Sequence, residues 1–328
     1  MKPLGAGLDW LLDRTVVGGY SSIGFALRGL RGSSPDPERR LEGARVVVTG
    51  ANSGIGAAAG EAFAALGAEL HMVARDRGRG ERAAERIRTR TGSDRVHLHL
   101  CDLGDLNAVR ALGATLSAEP AGIDVLVHNA GALLGERRRS PQGHELTFAV
   151  HVLGPFLLTE LLRPSLAAAD GRVIFVTSGG MYMARLQLDD LQLEGKDFDG
   201  PAFYAHAKRA QVVLTGELQR RFGADLSFHA MHPGWVQTPG VKSSLPRFHS
   251  VTRPVLRDAE QGADTIVWLA ASEQARLDPG RLWMDRRARP EHRVPWTHER
   301  PGEASELYEI CAELTAERTA ASEPGPRT

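Results

Sequence analysis

One junction in the sequence restricts the fold more than any other feature. The apolar run Arg45-Val46-Val47-Val48-Thr49 passes directly into Gly50-Ala51-Asn52-Ser53-Gly54-Ile55-Gly56, and that loop passes into an Ala-rich segment. A strand, a glycine turn and a helix in immediate succession open a βαβ unit. Glycines there permit a tight turn and let the backbone approach a phosphate closely. The following helix would present free N–H groups and the positive end of its dipole to a pyrophosphate. Ala57, Ala58, Ala59 and Gly60 would let it lie close to the strands. A glycine pattern alone is a weak signal, but here the strand before it and the helix after it supply the confirming context. Gly50, Asn52, Ser53, Gly54, Ile55 and Gly56 are therefore the expected dinucleotide-binding loop.

The same alternation continues along the chain. Short apolar runs at 45–49, 69–73, 96–100, 123–128, 172–177, 226–231 and 281–284 read as strands, and many are Val-rich. Helix-like segments at 54–66, 80–91, 106–118, 144–162, 204–222 and 260–271 separate them. This pattern predicts an α/β fold: a Rossmann-type, doubly wound, seven-stranded, mainly parallel sheet with helices on both faces. Ligands of such sheets bind beyond the carboxyl ends of the strands. The expected organisation is an N-terminal helical extension and linker over 1–42, the Rossmann domain over 43–290, and a C-terminal helix with a flexible tail over 291–328.

Composition narrows the function classes. With 40 basic and 40 acidic residues the formal net charge is zero, which argues against a general nucleic-acid binder. The runs Arg137-Arg138-Arg139 and Arg286-Arg287 read as solvated surface. Cys101 and Cys311 form neither a disulfide framework nor a zinc-type pair, so no metal is expected and a reducing, cytoplasmic compartment fits. No run reaches the ~20 apolar residues that span a bilayer. Residues 1–34 carry Leu4, Leu8, Leu11 and Leu12 at helical spacing, then Tyr20, Ile23, Phe25, Leu27 and Leu30. Packing on the body is the preferred role for this segment, because it has few cations; weak peripheral membrane contact is the alternative.

Further motifs follow in order, each at the end of an expected strand or on the expected helix. They are Asp102-Leu103, Asn129-Ala130-Gly131, Ser178, then Tyr204-Ala205-His206-Ala207-Lys208, then Pro233-Gly234-Trp235-Val236-Gln237-Thr238. With Gly-x-x-x-Gly-x-Gly at the first strand, this set resembles the short-chain dehydrogenase/reductase family over residues 43–285. The resemblance implies a nicotinamide cofactor. It would be held by the glycine loop, Asp102, Leu103, Asn129, Ala130, Gly131, Tyr204, Lys208, Pro233, Gly234, Val236 and Thr238. It also implies a homo-oligomer.

The residues suit the chemistry. Tyr204 and Lys208 lie four apart on one expected helix and so share a face. A neighbouring ammonium would lower the tyrosine pKa from ~10 toward working pH. Tyr204 would then exchange a proton with the substrate oxygen, and Ser178 would hydrogen-bond that oxygen. The second strand ends at Ala74-Arg75, without the acid that accepts from NAD ribose hydroxyls. A guanidinium matches a phosphate by a two-pronged contact, so Arg75 predicts NADP over NAD.

Two positions depart from the family pattern. His128 replaces the first Asn of Asn-Asn-Ala-Gly, and His151 stands where many members carry an active-site Asn that holds a relay water. The preferred expectation is that the His151 carbonyl still binds such a water, with Pro155 kinking the helix nearby. Direct proton transfer by the His151 ring, or a broken relay, are the alternatives. Loops 135–145 and 239–257 read as lids. Leu133, Leu134, Met181, Tyr182, Trp235, Leu245 and Phe248 read as the lining for a medium-sized, fairly apolar carbonyl compound. Competing functions are a catalytically weak NADP-binding regulatory or scaffold protein, and a nucleotide-sugar epimerase or dehydratase. The intact Ser178, Tyr204 and Lys208 speak against the first, and the glycine spacing against the second.

Overall fold

A computed structural model describes residues 15–29, 41–237, 250, 252–276 and 278–316. Strands β1 (Arg45–Thr49), β2 (Glu69–Ala74), β3 (Val96–Leu100), β4 (Val125–His128), β5 (Arg172–Val176), β6 (Ser227–Met231), β7 (Leu282–Met284) and β8 (Arg287–Arg289) form one sheet. Its order is β3-β2-β1-β4-β5-β6-β7-β8. Every pairing is parallel except β7 with β8. The seven expected strands are all present, and β8 is an addition. The order reverses between β1 and β4, so the ligand crevice opens at their carboxyl ends.

All five residues of β1 are buried, because helices cover both faces of the sheet. On one face lie α3 (Gly54–Ala65), α4 (Arg77–Thr91) and α8 (Ala259–Ala271), packed on Val46, Val48, Leu70 and Met72. On the other lie α5 (Leu106–Ser117), α6 (Leu146–Ala167), α7 (Gly200–Phe222) and α9 (Glu303–Thr315), packed on Val47, Val73, Leu126 and Val173. Leu307 and Cys311 bring α9 into this core, so the C-terminal helix is built into the body. Across β2 and β3, His71 bonds Glu69 Oε1 (3.2 Å) and His99 Nε2 (3.0 Å).

Helix α6 departs from expectation twice. It runs for 22 residues and is apolar enough to cross a membrane by length and composition, although no such run was expected. Its most apolar window is 72 % buried, which makes it a core helix, wrapped by protein. It also contains a π turn, Ala149–Leu153, directly before Gly154-Pro155. Pro155 has no N–H to give the carbonyl of His151 and its ring crowds that carbonyl. One extra residue in the turn absorbs the mismatch.

The described part of the N-terminal extension forms α1 (Val16–Tyr20) and α2 (Ser22–Gly29), docked on the body. The Tyr20 ring stacks on Trp235 at 5.9 Å, and its carbonyl accepts from Trp235 N at 2.8 Å. Arg28 pairs with Asp285 at 2.5 Å. The expected helix around Leu4–Leu12, Leu30 and the linker lie outside the described residues.

Candidate active site

The glycine loop is built for close approach. Gly50 has φ 67°, and a side chain there would meet Ala130 Cα at 2.8 Å. A Cβ on Gly56 would lie 2.3 Å from Asn129 Nδ2 and 2.5 Å from Gly50 O. Asn129 braces this turn by donating Nδ2 to Thr49 O (2.9 Å), while the N–H groups of Asn129 and Ala130 share Thr49 Oγ1. Ser53 caps α3 with extended backbone, but its hydroxyl makes no capping hydrogen bond. An exposed hydroxyl and the open first turn, flanked by half-buried Asn52 and Ile55 and by Gly54 at φ 53°, fit a pyrophosphate.

At the end of β2, Arg75 is exposed and lies 3.7 Å from Asp102. Asp102 Oδ1 accepts from Gly104 N at 2.9 Å. The Leu103 side chain is buried in the core. The helix expected from residue 80 begins three residues earlier. Asp76 caps it, accepting from Arg79 N at 2.8 Å, and Arg77 is its first residue. Gly78 and Gly80 mask that helix start in the sequence.

Helix α7 starts at Asp199, whose side chain caps it, and carries Tyr204 and Lys208 against the end of β5. Ser178, which begins the short turn Gly179–Met183, lies beside Tyr204 and favours its ionised form. Lys208 is buried, donating to Val176 O (2.9 Å) and to Gln211 Oε1 (3.1 Å). Its ammonium lies 5.4 Å from the Tyr204 ring centre. The expected lowering of the tyrosine pKa is overturned. Burial pushes the Tyr204 phenol up to about 12, against the opposing Ser178 hydrogen bond, and lowers Lys208 to about 7. Desolvation is the leading cause for both groups in this pocket.

His151 is fully buried, its ring edge-on to Tyr204 at 5.2 Å. Its Nδ1 donates to Thr147 O (2.8 Å), which leaves Nε2 to accept from Ala132 N (3.2 Å). Burial and the Lys208 charge hold it well below the usual histidine range. A neutral ring with both nitrogens spent on backbone does not exchange protons, so direct transfer by His151 is not supported. Its carbonyl, expected to hold a water, accepts from Gln211 Nε2 at 2.7 Å. His128, in place of the family's Asn, bonds Thr159 Oγ1 at 2.8 Å, and burial pushes it down to about 3. His206 turns away from the cleft and accepts from Gln187 N. Gly131 lies against the His151 ring, where a Cβ would meet Nε2 at 2.7 Å.

The family model for short chain dehydrogenase matches residues 44–190. Dehydrogenase/reductase SDR family member 12 of Bos taurus is 40 % identical over 298 residues, which is 90 % of this chain and 93 % of that protein. The chain belongs to the short-chain dehydrogenase/reductase family. Retinol dehydrogenase 11 of Homo sapiens is 34 % identical over 255 residues, 75 % of this chain and 78 % of that one. A crystal structure from Beutenbergia cavernae, described as a candidate NAD(P)-dependent gluconate 5-dehydrogenase with NADP at low occupancy, superposes with TM-score 0.60. It is 26 % identical and covers 74 % of this chain and 94 % of its own. This chain is thus an oxidoreductase of that family, acting between alcohol and carbonyl on a fold that binds NAD(P).

Within this short-chain frame the loop after β6 holds Pro233, Gly234 and buried Val236; Thr238 lies outside the described residues. Gly234 needs its φ of 81°, and Arg257 packs where a side chain would go. The expected substrate lining changes. Met181 and Tyr182 are buried, with Tyr182 Oη donating to Pro290 O at 3.0 Å, so they are core. Met183, two residues past Met181, is instead 68 % exposed. Leu133, Leu134 and Trp235 are half-buried, while Leu245 and Phe248 lie outside the described residues. Loop 135–145 is tied down by the Arg139–Glu194 ion pair and by Arg137, which donates to Leu193 O. Gln211 was missed by sequence reasoning. Its signal is a polar side chain three residues after Lys208, on the same helix face, leading the apolar run Val212-Val213-Leu214.

Proposed function

We propose that this short-chain enzyme uses NADP(H) to interconvert a carbonyl and an alcohol on a medium-sized, fairly apolar substrate, and that it favours reduction. The observation that carries the reading is the Lys208 ammonium, buried 5.4 Å from the Tyr204 ring centre and held by Val176 O and Gln211 Oε1, with Ser178 beside the phenol. A phenol pushed up to about 12 keeps its proton at neutral pH, which suits a proton donor to a carbonyl oxygen. Ser178 would donate to the same oxygen as negative charge builds there. The nicotinamide, when bound, supplies the hydride.

Arg75 supports the NADP preference. Its guanidinium is exposed at the end of β2, and its 3.7 Å contact with Asp102 is an exposed pair of little strength. It is therefore available to a ribose phosphate. Half-buried Leu133, Leu134 and Trp235 and exposed Met183 support an apolar substrate. The unpaired, buried Cys101 and Cys311 support a reducing compartment and hence a cytoplasmic placement. The test is a panel of ketones, aldehydes and alcohols with NADPH, NADP, NADH and NAD, with Tyr204→Phe as the blank. NADPH-dependent reduction lost in the blank is the expected result; no turnover of any compound would sink the proposal and leave a nucleotide-binding protein.

A further inference from the structure

We propose that Gln211 is a positioning residue for Lys208: its side-chain amide clamps the ammonium to the His151 carbonyl, the part that the sequence reading gave to a water. The proposal rests on the assignment of Tyr204 and Lys208 to catalysis made above.

Three features produce the clamp. Pro155 stands four residues after His151 and has no N–H, so the His151 carbonyl lacks the donor an α-helix would give it. Gln211 lies three residues after Lys208 on α7 and is buried, so its amide must find partners inside the protein. An ammonium can only donate and a carbonyl can only accept, which leaves one orientation for the amide between them. It is the orientation seen: Lys208 Nζ donates to Oε1 at 3.1 Å, and Nε2 donates to His151 O at 2.7 Å. With Val176 O accepting at 2.9 Å, two of the three ammonium donors are fixed.

This differs chemically from a bound water. A water can accept a proton on one side while releasing one on the other. An amide can do so only by changing tautomer, so Gln211 holds the lysine without carrying protons away from it. The acceptor at Oε1 also favours the charged lysine, against the burial that lowers it to about 7. The titratable groups that face Lys208 are Tyr204 on its own helix, His151 on the π turn and His128 on β4. Both histidines are held neutral, so neither competes with Gln211 in setting the lysine charge.

The chain has four lysines, at positions 2, 196, 208 and 242, so NMR with lysine labelled by 13C at Cε can follow each one through a pH titration, with Lys208→Arg assigning the signal. The full-length protein is titrated with and without NADP. Gln211→Met removes the acceptor and should lower the Lys208 midpoint by about one pH unit. Gln211→Glu supplies a charged acceptor and should raise it. The alkaline limb of kcat should follow in each direction, with KM for NADPH within about twofold. A purely structural role would move both variants alike. An unchanged midpoint in folded Gln211→Met, or a midpoint that fails to rise in Gln211→Glu, overturns the clamp, and the second variant decides if the first does not fold. Opposite midpoint shifts in a protein that reduces nothing would uphold the clamp and sink only the catalytic reading.

Discussion

Arg28 and Asp285 are 257 positions apart in the chain and 2.5 Å apart in the fold. Both are buried, and Arg257 bonds the same carboxylate at 2.6 and 3.0 Å. The surplus positive charge is met by backbone carbonyls: Gly19 O accepts from both arginines and Ser21 O from Arg257 Nε. The N-terminal segment is thus tied to the β7–β8 turn and, through Tyr20 and Trp235, to the loop after β6. Burial opposes the charge on Asp285, yet Arg257 and Arg28 prevail and hold its pKa below the usual carboxylate value. Its contribution to stability is therefore full above pH ~4 and is lost as pH falls through the lower folded value. Asp285→Ala strands two buried cations and should cost about 3–5 kcal/mol in urea unfolding. It should also speed proteolysis within residues 15–29. A loss under 1 kcal/mol would refute this view of the cluster.

Tyr204→Phe keeps the ring that packs on His151 and removes only the hydroxyl. With NADPH and a reducible ketone, kcat should drop by about 10²–10⁴, and the NADPH dissociation constant should stay within about threefold. A drop smaller than tenfold would show that another group supplies the proton.

Arg75→Asp replaces a phosphate partner with an acceptor for ribose hydroxyls. The ratio of kcat/KM for NADPH over NADH should fall by about 10- to 100-fold, the worth of a hydrogen bond to a charged group. An unchanged ratio would remove Arg75 from cofactor choice.

Gly56→Ala puts a methyl group 2.3 Å from Asn129 Nδ2, where neither backbone nor brace can yield cheaply. Fluorescence titration should show NADPH binding weakened by roughly tenfold or more, of the order a 1.4 kcal/mol distortion gives. The control is Gly216→Ala on α7, where nothing lies within 4 Å, which should stabilise the fold by about 0.5–1 kcal/mol.

Lys208 titrates near 7 in the fold and near 10.5 when unfolded. Between those values the unfolded chain binds the extra proton, so stability rises with pH across that window, and the penalty is complete below it. Lys208→Met should flatten this rise while abolishing turnover. An equal slope of stability against pH in both proteins would place the lysine charge elsewhere.

The glycine turn, the seven strands and the placing of Tyr204 and Lys208 on one helix were readable because each depends on local residue chemistry at a fixed place in a repeating βα pattern. What escaped the sequence depended on the third dimension. The Tyr204 shift has the wrong sign when only Lys208 is considered, because burial around the pair is not written in their spacing. Met181 and Tyr182 look like cleft residues beside Ser178, but the turn they sit in points them inward. Asp76 was obscured as a cap by the glycines after it. Strand β8 was obscured by its turn, in which Asp285 and Arg286 adopt φ of 53° and 57° where such hairpins ordinarily use Asn-Gly. Ion pairs to Arg257 and Asp264 hold those two residues in place of glycine's freedom.

Strand β8 also sets the character of one border of the sheet. It is three residues long, carries Arg287 and Arg289, and is followed directly by Pro290. Proline offers no donor, and so short a strand disfavours a second one alongside. By occupying the outer side of β7, it withdraws that border from edge-to-edge growth. The border of the sheet on that side is thus three residues of β8 closed by a proline, and the longer strands lie behind it.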